Sequence, residues 1–266
     1  MNFSKYHGTG NDFLFVDAIP ADPAALARRL CDRHFGIGAD GLMFAKPSTR
    51  ADLSMVYYNA DGSIAPMCGN GIRCFVRYAL DQGLLNGRFF EIETLAGVLE
   101  VALNPDNTLS VNLGQPRLAL TPKEMMNPRE SVTITIDDHP FTLYPLFLGT
   151  LHAITVVEPD FDPTPYGETL TKHPRFPQDI NVNFVTVYNP HTIRVITHER
   201  GAGWTLSCGT GSAASAWWTH QQGLTVSAVT VKVNGGTLQV TIDEGVILTG
   251  PAVFIASGTV GGTTHD

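Results

Sequence analysis

The chain has 266 residues, of which 43% are apolar and 16% are charged, enough to bury one large domain or two smaller ones. This composition excludes disordered, collagen-like and fibrous proteins. Its 25 acidic residues outnumber its 17 Lys and Arg, and the resulting net charge of −8 disfavours binding to nucleic acid or to an anionic membrane.

Apolar runs and cysteines bear on the cellular compartment. Runs such as 13–16 and 143–148 are far shorter than the roughly 20 residues of a membrane span, and no apolar signal region opens the chain. Four cysteines are too few for a disulfide-stapled secreted scaffold. We therefore expect a cytoplasmic protein with free thiols, without membrane or nucleic-acid partners.

Helix and strand signals alternate in the first half of the chain. Asp22 and Pro23 predict the start of a helix that runs to about Arg33. A second helix is predicted after Cys68, with Gly83 as its stop signal. Its apolar stripe has helical spacing and consists of Ile72, Phe75, Val76, Ala79 and Leu80. Strands are predicted at 53–58, 89–93 and 109–113.

The second half has the same mixture of signals. The capping-box spacing of Thr121 and Glu124 predicts a short helix, and the Pro-rich stretch 159–177 predicts a long loop with one helical turn. A helix of small residues follows Cys208 and ends near Gly223, which suits a helix enclosed by strands. Strands are predicted at 132–136, 185–188, 193–197 and 229–233.

The chain contains an internal repeat. The segment 67–71, Met-Cys-Gly-Asn-Gly, recurs 140 residues later at 207–211 as Ser-Cys-Gly-Thr-Gly. Segments 94–101 and 233–240 also match at nearly that offset. This duplication predicts two similar α+β halves.

Both repeated motifs place a cysteine at a strand-to-helix turn. The N–H groups of the first helical residues have no partner within the helix and can bind an anion. The same helix end lowers the pKa of a thiol, which favours thiolate. If the halves pack with pseudo-two-fold symmetry, Cys68 and Cys208 can face each other across one cleft. Opposed thiols suit the transfer of a proton from one face of a carbon atom to the other.

Other interpretations of the cysteines were weighed. Cys31 and Cys74 lie within predicted helices and are expected to be small buried residues. No spacing typical of a zinc site or a phosphate-binding loop occurs. A thiol hydrolase or acyl transferase that uses Cys68 with His152, and a non-catalytic amino-acid-binding module, stay open as alternatives.

Four segments together resemble the diaminopimelate epimerase family. They are 6–13, 59–63, 67–74, and 199–203 with 208–211, in that order along the chain. The resemblance implies a homodimeric racemase or epimerase that uses two bases and no cofactor, pyridoxal phosphate or metal. It implies two pseudo-symmetric α+β halves, each a mostly antiparallel, barrel-like sheet around a central helix. The halves would be 1–117, joined by the C-terminal strand at about 253–266, and 118–252.

The same resemblance assigns roles to individual residues. Cys68 and Cys208 would be the acid/base pair, with His152 and Glu199 beside them. The substrate-binding residues, which would hold the reacting amino group, the reacting carboxylate and the far end of the substrate, are Asn11, Asn59, Gly69, Asn70, Thr150, Asn181, Arg200, Gly209 and Thr210.

The chain departs from the family pattern at several positions. Thr150 and Leu151 stand where the family usually has Asn-Pro, and Ile64, Pro66 and Trp204 stand where acidic or polar residues are common. Ile64 and Trp204 are therefore candidate specificity residues. Since a pocket built for a distal carboxylate penalises the loss of its partners, we expect an altered substrate, with histidine first. The alternative is a true diaminopimelate epimerase, which converts the LL to the meso isomer in lysine biosynthesis.

Overall fold

The computed structural model describes residues 1–261, and this part of the chain contains four helices and 18 strands. The helices are α1 (Pro23–Cys31), α2 (Gly69–Asp81), α3 (Gly167–Thr171) and α4 (Gly209–Gln221). The strands up to residue 112 are β1 (Asn2–Gly8), β2 (Asn11–Val16), β3 (Gly41–Lys46), β4 (Leu53–Asn59), β5 (Ile64–Ala65), β6 (Phe89–Thr94), β7 (Gly97–Leu103) and β8 (Leu109–Asn112). The later strands are β9 (Val132–Ile136), β10 (His139–Leu148), β11 (Thr150–Val156), β12 (Asn181–Asn189), β13 (Thr192–Glu199), β14 (Gly203–Trp204), β15 (Ala228–Val233), β16 (Gly236–Ile242), β17 (Val246–Gly250) and β18 (Val253–Thr259).

The chain divides into two compact units. The first consists of Met1–Val111 and Gly250–Asp266, and the second of Asn112–Thr249. The first unit therefore takes its last strand from the end of the chain, because β18 pairs antiparallel with β1. The C-terminal strand expected at about 253–266 is present as β18, and residues 262–266 of that expectation lie outside the described part of the chain.

The sheet of the first unit is mostly antiparallel. Its strand order is β18-β1-β2-β3-β4-β6-β7-β8, with parallel pairing only at β2/β3 and β4/β6 among the described pairs. Strand β5 forms a short hairpin with β4. This hairpin leads directly into α2, so the sheet fixes where that helix begins.

The sheet of the second unit repeats this plan. Its order is β9-β10-β11-β12-β13-β15-β16-β17, with parallel pairing at β11/β12 and β13/β15 and with β14 beside β13. Every strand of one unit thus has a counterpart with the same pairing in the other. The duplication predicted from the sequence is confirmed, as is the α+β fold class.

Each unit encloses one long helix. Helix α2 packs against β1, β2, β3 and β18, and its predicted apolar stripe is buried apart from the half-buried Leu80. Helix α4 packs against six strands and is buried on nearly all sides. Its Ala and Ser residues allow the strands to approach on every side. Each helix ends two residues before its predicted stop signal, Gly83 or Gly223, and both glycines have a φ of +69°.

Two helix predictions need correction. No helix forms at Thr121–Glu124 in the described chain, although the Glu124 carboxylate accepts both the N–H and the hydroxyl of Thr121. The chain turns away because Asn127 adopts a φ of +51° and Pro128 follows it. Helix α1 ends at Cys31, before the expected Arg33, because the Asp32 carboxylate accepts the N–H groups of the next turn.

Within residues 1–261, none of the helices has the length and apolar character needed to cross a membrane.

We predict that the free energy of unfolding falls above about pH 9 because of Cys31 and Cys74. Burial raises the pKa of each thiol to about 12, whereas an unfolded thiol ionises with a pKa of about 8.5. Between these values the folded state binds more protons than the unfolded state. Each thiol then lowers stability by about 1.4 kcal/mol per pH unit.

Urea unfolding between about pH 8 and pH 9.5 measures this slope, below the pKa of about 10 at which an unfolded tyrosine ionises. The Cys31→Ala/Cys74→Ala double variant is expected to keep only the smaller slope that the buried Cys208 thiol supplies, whatever its stability at pH 7. An equally steep slope in the double variant would assign the effect to other groups.

Candidate active site

Cys68 occupies the N-cap of α2. Its backbone is extended, and its Sγ accepts the Gly71 N–H at 3.4 Å. A Cβ at Gly71 would lie 2.3 Å from Met43 Cε, so only glycine fits there without displacement. The helix end directs its first N–H groups outward beside the sulfur. This arrangement can hold a carboxylate next to a thiol.

Asn11 and Asn70, two of the predicted binding residues, lie beside Cys68. The Cys68 thiol donates to Asn11 Oδ1 at 3.6 Å, and Asn70 Nδ2 donates to the same oxygen at 3.4 Å. The Asn11 amide in turn donates from Nδ2 to Asp40 Oδ2 at 2.5 Å. The side-chain oxygen of Asn11 is thereby the acceptor that faces the thiol.

Arg73 is fully buried one turn into α2. Its guanidinium donates to Gly69 O and to Asn70 Oδ1, both at 2.9 Å. Burial lowers the pKa of this arginine, while its interaction with Cys68 and Cys74 acts in the opposite direction. A positive charge therefore lies near Cys68 without a carboxylate partner among the described residues.

Asn59 and Ile64 lie on the β4–β5 hairpin that precedes α2. Asn59 donates to Ser63 Oγ at 3.0 Å, and the Ile64 side chain is half exposed. Among the described contacts, no hydrogen bond joins either residue to Cys68. The part of Asn59 in holding the far end of a substrate and the part of Ile64 in specificity stay predictions.

Cys208 occupies the matching N-cap of α4 and is buried. Its Sγ lies 3.7 Å from Thr210 Oγ1, and a Cβ at Gly211 would lie 2.2 Å from Asn183 Oδ1. Burial raises the pKa of this thiol well above its ordinary value, and the Glu199 carboxylate raises it further. The Gly211 N–H and the Thr210 hydroxyl oppose this shift but do not cancel it. The expectation of a lowered pKa at this helix end is therefore wrong for Cys208.

His152 is fully buried beside Thr210. Its Nε2 lies 3.1 Å from Thr210 Oγ1, and its Nδ1 lies 3.2 Å from Asn183 Nδ2. Burial and the positive charge of Arg200 lower the pKa of His152 to about 3, so the ring is neutral at physiological pH.

The hydrogen bonds of Asn183 assign the tautomer of His152. Asn183 Nδ2 donates to the Ala153 carbonyl at 3.2 Å, which can only accept, so Nδ2 is also the atom that faces His152 Nδ1, and Oδ1 accepts from the Thr197 hydroxyl at 3.0 Å. The ring nitrogen Nδ1 is then an acceptor, and Nε2–H donates to Thr210 Oγ1. This leaves the hydroxyl hydrogen of Thr210 free to point at the Cys208 sulfur.

Glu199, Arg200 and Asn181 form the adjoining part of the second unit. Glu199 accepts the Thr205 hydroxyl at 2.6 Å, and the Arg200 N–H donates to Asn181 Oδ1 at 2.9 Å. The exposed Arg200 guanidinium donates to Gln178 O at 3.2 Å. No carboxylate within residues 1–261 pairs with this guanidinium.

Thr150 and Trp204 are held mainly by their own unit. Thr150 opens β11 and pairs with Leu148 in β10. The Trp204 ring lies edge-on to His198 at 5.0 Å and tilted on Phe184 at 5.8 Å, and 38% of the residue is exposed. The Trp204 ring therefore has packing partners within its own unit, and no ligand is needed to explain why this position is aromatic.

Four residues of these networks were not expected from the sequence: Asp40, Arg73, Asn183 and Thr197. Asn183 had a signal, since it lies two residues after Asn181 on the same face of an otherwise apolar strand. No sequence signal indicated that Arg73 is buried, because a charged residue inside a helix is usually exposed.

Comparison with known proteins identifies relatives along nearly the whole chain. A family model described as diaminopimelate epimerase matches residues 3–119 and 147–255. The diaminopimelate epimerase of Alkaliphilus metalliredigens is 41% identical over 97% of this chain and 96% of its own length. That of Desulforudis audaxviator is 40% identical over 97% of this chain and 98% of its own length.

Solved structures with low sequence identity share the fold. A hydroxyproline epimerase from Agrobacterium vitis covers 97% of this chain and 91% of its own, with a TM-score of 0.76 and 15% identity. A PhzF-family phenazine biosynthesis protein from Bacillus anthracis covers 98% of each chain, with a TM-score of 0.70 and 18% identity. The chain belongs to the diaminopimelate epimerase family and is an isomerase of the racemase and epimerase class.

Proposed function

We propose that this protein is a diaminopimelate epimerase that interconverts the LL and meso isomers with Cys68 and Cys208 as its two bases. The observation that carries the proposal is the repeated N-cap cysteine. In each unit a cysteine begins the one helix that the sheet encloses, followed by glycine-containing turns. Membership of the family supports the same assignment.

The proposed reaction moves one proton at each face of the α-carbon. The thiolate of one cysteine removes the α-proton and becomes a thiol, while the thiol of the other delivers its proton to the opposite face and becomes a thiolate. Negative charge develops on the substrate carboxylate in the transition state. N–H groups at the helix ends, including those of Gly69, Asn70, Gly209 and Thr210, would stabilise that charge. The protein needs no other proton carrier in this scheme.

The surroundings of Cys208 support its role as the initial proton donor. Burial and Glu199 keep its pKa high, so it carries a proton at neutral pH. After it has given up that proton, the Thr210 hydroxyl can donate to the new thiolate. His152 supports this hydroxyl from the other side through its Nε2–H. His152 would therefore act as a neutral donor and not as a base.

Arg200 favours diaminopimelate over histidine as the substrate. Its guanidinium has no carboxylate partner among the described residues, and Asn181 lies beside its backbone N–H. The far end of diaminopimelate carries a carboxylate that a guanidinium can bind with two hydrogen bonds. Histidine carries none there. The two diaminopimelate epimerases named above, about 40% identical, also support diaminopimelate as the substrate. None of the observations supports histidine.

We predict that Cys68→Ala and Cys208→Ala each lower the epimerisation rate by at least about 10³-fold, because each removes one of two required proton carriers. The measurement is α-deuteration and change of chirality of LL-diaminopimelate in D₂O. Cys31→Ala and Cys74→Ala are the matched controls, since these thiols are buried away from a helix start.

Full epimerisation by Cys208→Ala would contradict the two-base scheme. Binding of diaminopimelate without deuteration by the wild-type protein would favour a binding module.

We predict that Arg200→Gln raises KM for LL-diaminopimelate about 10- to 100-fold with a smaller change in kcat, because a charged hydrogen bond to the non-reacting end is lost. The matched control is Arg175→Gln, which also removes a guanidinium bonded to a backbone carbonyl. Racemisation of L-histidine, measured in parallel by chiral chromatography, is expected to be undetectable. If histidine is turned over faster than diaminopimelate, the substrate assignment is wrong.

We predict that Glu199→Gln makes Cys208 more reactive toward iodoacetamide, by about fivefold to tenfold at pH 8. Removing a negative charge that raises the pKa of the thiol increases the thiolate fraction at a fixed pH. Mass spectrometry of the Cys208 peptide follows the alkylation between pH 6 and pH 10. Glu158→Gln removes an exposed carboxylate from the same unit and should leave the profile in place. A shift to lower reactivity would show that Glu199 does not control this thiol.

A further inference from the structure

A directed chain of hydrogen bonds runs through the first unit past Cys68. Arg73 donates to Asn70 Oδ1 at 2.9 Å, Asn70 Nδ2 donates to Asn11 Oδ1 at 3.4 Å, and Asn11 Nδ2 donates to Asp40 Oδ2 at 2.5 Å. The other Asp40 oxygen accepts from Arg33 at 2.8 Å. Two neutral amides are thus held between a guanidinium and a carboxylate.

The charged ends of this chain permit one orientation of each amide. A guanidinium can only donate and an ionised carboxylate can only accept. Asn70 must therefore turn its oxygen to Arg73 and its nitrogen to Asn11. Asn11 must turn its nitrogen to Asp40, which leaves its oxygen toward Asn70 and Cys68.

We propose that Asp40 is a positioning residue that fixes the Asn11 amide with its oxygen toward Cys68. In the free protein Asn11 then accepts a hydrogen bond from the Cys68 S–H. On the proposed function on which this part rests, it accepts one from the substrate ammonium when Cys68 is the thiolate. A reversed amide would present an N–H to both and would repel the ammonium. Asp40 contacts neither the sulfur nor the substrate in this scheme and acts only through Asn11.

Asp40 is itself held firmly by its surroundings. Its Oδ2 also accepts the Asp12 N–H at 3.1 Å, and its own N–H bonds to Asp12 Oδ1 at 3.1 Å. Arg33 bridges the two carboxylates, and Lys5 pairs with Asp12 at 2.9 Å. These contacts explain why an acidic side chain that is 40% exposed can still define the direction of its hydrogen bond.

Asp40→Asn keeps the shape of the side chain but removes the carboxylate that allows only one orientation of the Asn11 amide. If the new amide turns its nitrogen to Asn11, Asn11 must flip and its own N–H₂ faces that of Asn70. If it turns its oxygen to Asn11, its nitrogen faces the Arg33 guanidinium. Each arrangement places two hydrogen-bond donors against each other. Since neither arrangement is clearly favoured, Asn11 populates both orientations of its amide.

The test measures the pH dependence of Cys68 alkylation by iodoacetamide, followed by mass spectrometry of the Cys68 peptide. Arg73 and Cys74 on α2 interact electrostatically with this sulfur, and the substitution leaves both in place. In Asp40→Asn, a fraction of Asn11 donates an N–H to the sulfur and stabilises thiolate. We expect alkylation at pH 7 to become about threefold to tenfold faster, and KM for LL-diaminopimelate to rise about tenfold.

Controls separate positioning from a general structural effect. Asp52→Asn removes another hydrogen-bonded carboxylate of the same unit and should change neither readout. Asp40→Glu keeps a carboxylate and should restore the slower alkylation. If Asp40→Asn does not fold, Asp40→Ser serves instead, because a hydroxyl can donate or accept and also frees the amide. Thermal unfolding of each variant reports on folding.

The decisive measurement is the double variant. With Asn11→Ala present, Asp40→Asn should have no further effect on Cys68 alkylation. An unchanged profile in the single variant, or an equal change with Asn11→Ala present, would overturn the proposal. If the alkylation shift occurs but the wild-type protein does not epimerise diaminopimelate, the proposed function fails while the positioning role stands.

Discussion

The rest of the structure depends on how each unit begins its enclosed helix. The first turn of a helix has N–H groups without partners, and these usually lie in water or are capped. Here each turn starts at a cysteine N-cap inside a shell of strands, and the glycines at Gly71 and Gly211 are the residues that fit against Met43 and Asn183. On the proposed function, enclosure turns an ordinary helix end into a small anion site with a sulfur atom at its edge.

The duplicated scaffold gives the two thiols different surroundings. Cys68 lies near the buried guanidinium of Arg73, whereas Cys208 lies near the carboxylate of Glu199. The position in α4 that matches Arg73 is Ala213, so the difference lies in single residues on a shared plan. Two-base chemistry needs one carrier with a proton and one without at the start of each turnover. The positive charge near Cys68 favours its thiolate and the negative charge near Cys208 favours its thiol, which gives a physical basis for this difference in protonation.

Much of the fold follows from local sequence patterns, but the polar networks do not. The stripe of α2, the small residues of α4 and the internal repeat predict two helices enclosed by similar sheets. The pKa of Cys208 could not be inferred in this way, because its direction depends on burial by strands far away in sequence. The same reason applies to Asp40, whose partner Asn11 lies 29 residues earlier. The homodimer and the far-end residues Asn59 and Asn181 stay predictions.

Trp204 shows how a substitution near a site can mislead an argument from sequence. An aromatic residue in place of a polar one made Trp204 a candidate specificity residue and contributed to the expectation of an altered substrate. The ring instead packs on His198 and Phe184, and a Cβ at Gly167 would lie 2.4 Å from it. A change that its own unit accounts for carries no information about the ligand. Arg200 bears on the proposed substrate instead, because an exposed guanidinium without a carboxylate partner among the described residues keeps donors that, on the proposed function, bind a distal carboxylate.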